Sequence, residues 1–537
     1  MTALVTDNLP LLAAAPNGIS QLRALILDLA IRGKLVEQSM GAEPADALIE
    51  RISAARLAHE SSRKTKTRAS QQSGVADEGP FGLPAGWRWT NLATVAQINP
   101  RNAAPDDLDV SFVAMASIGA KFDSGHTQET RKWSEVKQGF THFAEGDIGV
   151  AKITPCFENS KACVFTNLSN GIGAGTTELH IVRPFAETLG ARYVLAYLKS
   201  PWFLLVGETR MTGTAGQKRL PKDFVESHPF PLPPLEEQNR IVAKVDELMA
   251  LCDRLEAEQA DADAAHATLV QALLASLTQA RDAADFRASW QQLSEHFHTL
   301  FTTESSVDAL KQCIVQLGVT GRLTSSGADC SDQAEAGSSD GADDAIGLWS
   351  TPVEWAWRRL LDVVEGGIQN GISPKAAAVP THVRCLTLSA TTRGTFNGSF
   401  FKHVDLLPEV LTKYWLKTGD LLIQRANSID YVGVSAVYDD LDDRFIFPDL
   451  MMRTRVRGDM DVHFVHLCLS AAPSREYLRK HATGTQGNMP KVNQGTVGGI
   501  PVPVPSIAVQ RAIVAKVKEL MGVCDQLKNG LSSARQS

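Results

Sequence analysis

The sequence repeats itself in tandem, and this repeat constrains the fold more than any other feature. Residues 241–255 read IVAKVDELMALCDRL and residues 513–527 read IVAKVKELMGVCDQL, so 11 of 15 positions are identical at an offset of 272. The same offset relates the proline-rich segments 229–233 and 501–505. Because equal patterns bury equal faces, such a chain is expected to fold into two copies of one unit.

Shorter matches extend the repeat over most of the 537 residues. They occur in the same order in both copies: a short helix, a linker, a globular part, a proline-rich stop and a long helix. The matching pairs are 19–33 with 307–321, Trp-x-Trp at 87–89 with 355–357, the Gly-Asp turns at 146–148 with 419–421, and Thr-Gly-Thr at 212–214 with 483–485.

Composition excludes some classes of protein. The net charge is −7 at pH 7, so nucleic-acid binding would depend on local patches or on a basic partner rather than on a basic coat. No run of about 18 apolar residues occurs, so we expect no membrane span. The 8 cysteines include no Cys-x-x-Cys pair, which favours reduced thiols and a cytoplasmic protein.

Between the Trp-x-Trp segment and the long helix, each copy alternates short β-branched runs with Gly and Pro turns, which is typical of strands separated by loops. We therefore expect an α+β fold: two similar α/β domains separated by long antiparallel coiled-coil helices in a pseudo-twofold repeat. The segments 61–79 and 325–345 lack apolar periodicity and favour solvated linkers, although the basic run 63–68 could contact phosphates. The predicted divisions are 1–60 (N-terminal helical region), 61–85 (linker), 86–233 (first α/β domain), 234–324 (central helical region), 325–348 (flexible acidic linker), 349–505 (second α/β domain) and 506–537 (C-terminal coiled-coil helix).

The two long helices carry apolar residues spaced four and three apart, which is the pattern of a coiled-coil seam. In the first helix the pattern weakens after residue 255 and recovers at Leu269 and Leu273. Two matched seams favour pairing of the long helices with each other; the alternative is that each seam packs on its own domain. If residues 235–279 form one helix, it is about 65 Å long, which suits a spacer between domains. The seam residues are Ile241, Val245, Leu248, Cys252 and Leu255 in the first copy and Ile513, Val517, Leu520, Cys524 and Leu527 in the second.

Motifs of catalysis are missing from the sequence. There is no phosphate-binding G-x-x-x-x-G-K-[ST] loop, no H-E-x-x-H, and no Asn/Asp-Pro-Pro-aromatic motif of amino-methylating DNA methyltransferases. Residues 171–175 read GIGAG and resemble a nucleotide loop, but a strand-like segment follows them where a helix should begin. A tight loop inside the α+β unit is the favoured interpretation, and no metal site is expected.

Polar loops occur at matching places in the two copies, after the Gly-Asp turn and before the proline stop. Arg and Lys can bind guanine edges, Asn and Gln can bind adenine, and Thr can bind bases or phosphates. The framework repeats while the polar side chains differ, which favours two DNA-binding loops with different specificities; solvated turns are the alternative. The candidate DNA-binding residues are Lys152, Thr154, Arg210, Thr212, Thr214, Gln217, Lys218 and Arg219 in the first copy and Arg425, Asn427, Ser428, Thr483, Thr485, Gln486, Asn488 and Lys491 in the second.

At these residues the sequence resembles the specificity subunit of type I restriction–modification systems. The most specific part is the proline stop followed by the helix start, PLPPLEEQNRIV at residues 231–242, together with the Gly-Asp-[Ile/Leu] turns and the Thr-Gly-Thr loops. The second stop departs from the pattern, because residues 506–509 read SIAV in place of the acidic stretch, although Gln510 and Arg511 are kept.

The resemblance implies a non-catalytic subunit whose two α/β domains are target recognition domains, each binding one half of a bipartite site on double-stranded DNA. The paired helices would set the spacer and dock two modification subunits, and restriction/motor subunits would complete the complex. S-adenosylmethionine, ATP and Mg²⁺ would be bound by those partners and no cofactor by this chain. The alternative is a coiled-coil adaptor whose globular domains bind protein; a self-sufficient methyltransferase or nuclease is disfavoured by the missing motifs.

Overall fold

Two units of similar length make up the chain in its computed structural model: unit 1 comprises Met1–Asp261 and unit 2 comprises Ala262–Ser537. The structure describes residues 12, 15, 17–38, 43–62, 79–185, 188–214, 216–323, 348–484 and 489–534. Most of both predicted linkers, including the basic run 63–68, therefore lies outside the described residues.

Unit 1 combines short strands with helices of very different lengths. Its helices are α1 Gly18–Ile31, α2 Ala45–Ser62, α3 Leu92–Val95, α4 Trp133–Val136, α5 Ala191–Leu198, α6 Pro201–Arg210, α7 Lys222–Ser227 and α8 Leu235–Thr278, the last continuing into unit 2. Its strands are β1 Arg88–Asn91, β2 Ala96–Ile98, β3 Asp109–Val113, β4 Glu129–Lys132, β5 Thr141–Ala144, β6 Ile148–Ala151, β7 Ala162–Val164, β8 Ile172–Gly175, β9 Leu179–Pro184 and β10 Pro229–Leu232.

Unit 2 has the same mixture of elements. Its helices are α9 Ala283–Glu295, α10 Phe297–Leu300, α11 Glu304–Val319, α12 Pro408–Leu411, α13 Val462–Ser470, α14 Ala472–Lys480, α15 Gln494–Gly498 and α16 Ile507–Ala534. Its strands are β11 Ala356–Arg359, β12 Val364–Asn370, β13 Arg384–Leu386, β14 Phe401–His403, β15 Leu421–Gln424, β16 Ser435–Val437, β17 Met451–Val456 and β18 Pro501–Val504. The α+β class is confirmed, and so is a single long helix over almost all of residues 235–279.

One antiparallel sheet has the same strand order in both units. The order is β2-β9-β6-β7 in unit 1 and β12-β17-β15-β16 in unit 2. The registers also agree: Ile148 lies opposite Val182 and Val164 in unit 1, and Leu421 lies opposite Thr454 and Val437 in unit 2. We call this sheet the frame sheet, and its identical register confirms the internal repeat.

The Trp-x-Trp segments and the proline stops pair with each other in each unit. Trp89 of β1 lies opposite Pro231 of β10, and Trp357 of β11 lies opposite Pro503 of β18. Proline is tolerated because each ladder has only two strands, so a missing N–H can face away from the partner. Each proline stop therefore pairs with the first strand of its unit, and a long helix begins directly after the stop.

The Gly-Asp turns are held by a buried ion pair. Asp147 is 1% exposed, accepts a hydrogen bond from the Ala144 N–H at 2.7 Å and pairs with the Arg183 guanidinium at 2.7 Å. Burial raises the pKa of Asp147, and the Arg183 ion pair opposes that rise. The same turn in unit 2 places Asp420, also 1% exposed, beside Arg455 at 2.6 Å. The Gly-Asp motif therefore links a turn to a neighbouring strand of the frame sheet.

The second sheet is where the two units differ. Unit 1 has a four-stranded sheet in the order β4-β3-β8-β5, and unit 2 has the two-stranded sheet β13-β14 at this stage of the chain. The glycine-rich segment 171–175 contributes β8, so the expected tight loop is corrected to an inner strand. A Cβ atom on Gly173 would lie 2.6 Å from the Ser111 carbonyl oxygen, so glycine here permits close backbone approach between strands.

Each coiled-coil seam packs against a short helix of its own unit. Ile241, Val245, Leu248 and Cys252 are at most 1% exposed and belong to one core with the apolar face of α1. Ile513, Val517 and Cys524 are buried in the core that contains α11. These seam residues therefore pack within the core of their own unit, where a short amphipathic helix lies beside them. Cys252 and Cys524 are buried free thiols and pack as small apolar residues.

The second half of α8 belongs to the core of unit 2. Val270, Leu274 and Leu277 are buried there, whereas Leu269 is 52% exposed and Leu273 is only partly buried. The predicted recovery of the seam at Leu269 and Leu273 is therefore displaced by one residue. The reason is that 18 residues separate Cys252 from Val270, which equals five turns of 3.6 residues rather than a heptad multiple.

Candidate nucleic-acid interface

Two segments that are distant in sequence form a polar tip in each unit. In unit 1, Arg219 forms β-bridges with both Ile153 and Thr212. In unit 2, Lys491 forms the corresponding bridges with Ala426 and Thr483. We call residues 152–154 with 210–214 and 216–219 loop pair 1, and residues 425–428 with 483, 484 and 489–491 loop pair 2.

Backbone hydrogen bonds of loop pair 1 recur at equivalent positions among the described residues of loop pair 2. The Leu220 N–H donates to the Lys152 carbonyl oxygen at 2.7 Å, and the Val492 N–H donates to that of Arg425 at 2.9 Å. In the same way the Thr154 N–H donates to the Lys218 carbonyl oxygen at 3.0 Å. The equivalent bond in loop pair 2 runs from the Asn427 N–H to Pro490 at 3.3 Å. The repeat therefore includes the candidate site itself.

The glycine of each Thr-Gly-Thr segment has a structural task. Gly213 has φ of 130° and Gly484 has φ of 142°, a region that L side chains rarely adopt. A Cβ atom on Gly213 would also lie 2.8 Å from the Gln217 carbonyl oxygen on the returning strand. Glycine is thus required for the tight turn.

Loop pair 1 brings its predicted residues to one surface. Lys152 and Thr154 are half-buried, and the Thr154 hydroxyl accepts a hydrogen bond from the Lys218 N–H at 3.2 Å. Arg219 is not free, because its guanidinium binds both carboxylate oxygens of Glu178. This ion pair holds the pKa of Glu178 below its usual range. The exposed predicted residues are Arg210, Thr212, Thr214, Gln217, Lys218 and Arg219.

In loop pair 2 the structure places Arg425, Asn427, Ser428, Thr483 and Lys491 together; Thr485, Gln486 and Asn488 lie outside the described residues. Both ends of the Asn427 side-chain amide form a hydrogen bond within the protein. It donates to the Gln424 side-chain oxygen at 2.7 Å and accepts from the Ser428 N–H at 2.7 Å. Gln424 in turn is buried and donates to the Leu388 carbonyl oxygen at 2.9 Å. A buried amide therefore fixes the orientation of Asn427.

A buried cation fastens the chain after each loop. In unit 1 the Lys199 ammonium donates to the Ser160 carbonyl oxygen at 2.7 Å and to that of Ala120 at 2.8 Å. In unit 2 the Arg475 guanidinium donates to the Asp430 carbonyl oxygen at 2.9 Å. Burial lowers the pKa of Lys199 to about 8 and that of Arg475 to about 10. Each cation therefore holds the backbone of the segment that follows residue 154 in unit 1 or residue 428 in unit 2.

Sequence reasoning missed Glu178, Gln424, Lys199 and Arg475. Glu178 could have been found from the repeat, because the offset of 272 aligns it with Leu450, and an acid next to a predicted DNA-binding loop is unusual. The two buried cations gave no signal, because Lys199 aligns with no cation in unit 2 and Arg475 with none in unit 1.

The described residues of the two loop pairs expose mainly polar and cationic groups. No group of three His, Cys, Asp or Glu side chains that could hold a metal ion occurs among them. Within the described part of the chain, no helix is long and apolar enough to cross a membrane. The exposed groups of the loop pairs are guanidinium, ammonium, hydroxyl and amide groups, which are the groups that contact phosphates and base edges.

Comparisons with known proteins identify the family. No family model matches the chain. It is 37% identical over 546 residues to the specificity subunit of the type I restriction enzyme EcoEI of Escherichia coli, covering 97% of this chain and 92% of that protein. The chain belongs to the specificity subunits of type I restriction enzymes.

Further similarities agree with this assignment. The EcoAI specificity subunit of Escherichia coli is 50% identical over 307 residues, which are 57% of this chain and 52% of that protein. A solved structure described as the basis of complex assembly and conformational transition of the type I R-M system has a TM-score of 0.52 at 17% identity. It covers 85% of this chain and 95% of that chain, and so shows the shared fold. A specificity subunit is a recognition subunit and not an enzyme, and the adaptor alternative is not favoured.

Proposed function

We propose that loop pairs 1 and 2 each recognise one half of a bipartite site on double-stranded DNA. The observation that carries this proposal is the identical backbone ladder of the two loop pairs combined with their different side chains. Arg219 and Lys218 stand where Lys491 and Pro490 stand in the other unit. A shared scaffold with exchanged donors is what two binding sites for different base sequences require.

Partners complete the function. Two modification subunits would dock on the repeated helical regions, and restriction/motor subunits would join them in the cytoplasm. S-adenosylmethionine, ATP and Mg²⁺ would be held by those subunits and not by this chain. Since the net charge is −7, we expect the isolated chain to bind DNA weakly and with strong salt dependence, and the modification subunits to tighten binding.

The first test is the methylation pattern of cells that express this chain with its modification subunit. The wild-type chain should direct adenine methylation to a split motif. Arg425→Ala with Asn427→Ala should change or abolish only the half recognised by unit 2. Arg281→Ala is the matched control, because Arg281 is 79% exposed and lies outside both loop pairs. An unchanged pattern in the double variant would favour the protein-binding adaptor.

The second test concerns the spacer between the half-sites. The helix α8 has 44 residues, a length of about 65 Å. Inserting about four residues, roughly one helical turn, within residues 256–267 should change the tolerated spacer and leave both half-site sequences intact. Exchange of residues 86–211 for those of a relative should alter one half-site alone. Altered half-sites after the insertion would argue against the spacer role.

A further inference from the structure

Glu178 binds Arg219, the residue of loop pair 1 that forms β-bridges with both Ile153 and Thr212. The Arg219 Nε donates to one carboxylate oxygen at 2.9 Å and Nη2 donates to the other at 2.8 Å. The Glu178 side chain is 23% exposed and that of Arg219 is 48% exposed. The acid is thus the inner partner and the guanidinium is the outer one.

The bidentate contact uses only one edge of the guanidinium. Nε–H and one N–H of Nη2 are occupied, and the second N–H of Nη2 lies parallel to one N–H of Nη1 on the adjacent edge. Guanidinium is planar and rigid, so fixing one edge also fixes the direction of the other. The free edge carries two parallel donors, which match the O6 and N7 acceptors of guanine in the major groove.

Unit 2 lacks this arrangement although its backbone is the same. The residue aligned with Glu178 is Leu450, whose carbonyl oxygen accepts a hydrogen bond from the Arg425 N–H at 2.8 Å. In unit 1 the Glu178 carbonyl oxygen accepts the equivalent bond from the Lys152 N–H at 3.0 Å. Lys491 replaces Arg219, and no ion pair joins it to an acid among the described residues. An ammonium is a point charge without a planar edge and suits phosphate better than guanine.

We propose that Glu178 is a specificity-determining positioning residue that orients Arg219 towards a guanine edge, whereas Lys491 contributes mainly phosphate attraction. This inference rests on the proposed recognition of DNA by loop pair 1. Glu178 cancels the charge of Arg219 and repels phosphate, so it lowers non-specific attraction at the same time as it fixes the donors. Unit 1 is therefore the more selective and unit 2 the more salt-dependent of the two.

The test exchanges the aligned residues of the two units in the complex of the full chain with its modification subunits. The measurements are binding to duplexes with each base pair of each half-site substituted in turn, and the dependence of binding on salt. Glu178→Leu should reduce discrimination at one guanine of the first half-site by about 10- to 100-fold. It should also steepen the salt dependence by about one phosphate contact, because Arg219 is released to bind phosphate.

Two further variants separate positioning from simple structural support. Arg219→Lys keeps the charge but loses the planar edge, so it should lose discrimination at the same guanine. Leu450→Glu places an acid beside Lys491 and should make the salt dependence of the second half-site shallower. The second half-site is the internal control for Glu178→Leu and should be recognised as in the wild type.

The outcomes distinguish the inference from the proposed function. If Arg219→Lys loses discrimination while Glu178→Leu leaves both readouts unchanged, Arg219 contacts the base but Glu178 does not position it, and the inference fails. Equal loss at every base pair of the first half-site after Glu178→Leu would show a general loss of structure and would also overturn it. A wild-type complex that binds all sequences equally would instead contradict the proposed function.

Discussion

Units 1 and 2 share a frame and differ in what the frame presents. The frame sheet, the Trp-x-Trp ladder and the loop ladders have the same strand order and register in both units. The second sheet, the side chains of the loop pairs and the cations behind them differ. The comparison teaches that the repeated motifs are structural, and that under the proposed function specificity would reside in positions where the two copies differ.

A buried glutamine occupies the same position in the frame of each unit. Gln238 is fully buried, and its side-chain oxygen accepts a hydrogen bond from the Gly190 N–H at 2.8 Å, where α5 begins. Gln510 accepts the same bond from the Asp461 N–H at 2.7 Å, where α13 begins. A buried N–H group that loses its acceptor costs about 1–3 kcal/mol, so replacing either glutamine should destabilise its unit.

The largest expected effect comes from breaking the buried ion pair of the frame in each unit. Asp147→Ala leaves Arg183 and the turn N–H without their carboxylate, and Asp420→Ala does the same to Arg455. Each variant should lower the free energy of unfolding of its own unit by about 3 kcal/mol. Urea unfolding, followed by hydrogen exchange in peptides of each unit, measures this. A large loss in one unit only would break the equivalence of the two frames.

A smaller effect concerns pH and arises at different positions in the two units, because burial also lowers the pKa of His466 in unit 2 to about 4. His228 packs among the rings of Trp202 and Phe224, and burial lowers the pKa of its imidazole to about 4, whereas Ile500 stands at the aligned position. As the pH falls from about 6.5 to about 4 the unfolded chain takes up this proton first, so stability that is complete above about 6.5 is lost in this window. The loss should be on the order of 2 kcal/mol in unit 1.

The aligned residue supplies the control for this pH effect. His228→Ile should reduce the acid sensitivity of unit 1 and leave that of unit 2, to which His466 contributes, unchanged, as measured by unfolding at pH 7 and pH 5 with hydrogen exchange. A variant as acid-sensitive as the wild type would assign the effect to another group.

The smallest expected effect concerns exposed ion pairs between the short and long helices. Arg23 of α1 binds Asp253 and Glu256 of α8, and Lys311 of α11 binds Asp525 of α16. Because all of the acids are about half exposed or more, double-mutant cycles of Arg23 with Asp253 and of Lys311 with Asp525 should each give about 0.5 kcal/mol. A coupling energy above about 2 kcal/mol in either unit would show that the ion pair contributes substantially to the packing of the two helices.

Much of the secondary structure and the repeat followed from the sequence. The single long helix predicted over residues 235–279 is observed at Leu235–Thr278. The proline stops, the Gly-Asp turns and the Thr-Gly-Thr segments were located correctly, because proline and glycine impose local backbone conformations that need no distant partner. The family assignment also rests on these local motifs.

What only the tertiary structure decided was which surfaces meet. Heptad spacing showed that α8 and α16 each have an apolar seam, but α1 and α11 cover those seams. The glycine run at 171–175 became a strand because Ser111 and Phe143 lie on either side of it. The repeat marks Glu178 as different from the aligned Leu450, but only the fold shows that it pairs with Arg219, 41 residues away. Periodicity records which face of an element avoids water, whereas the partner of that face is set by contacts between residues far apart in sequence.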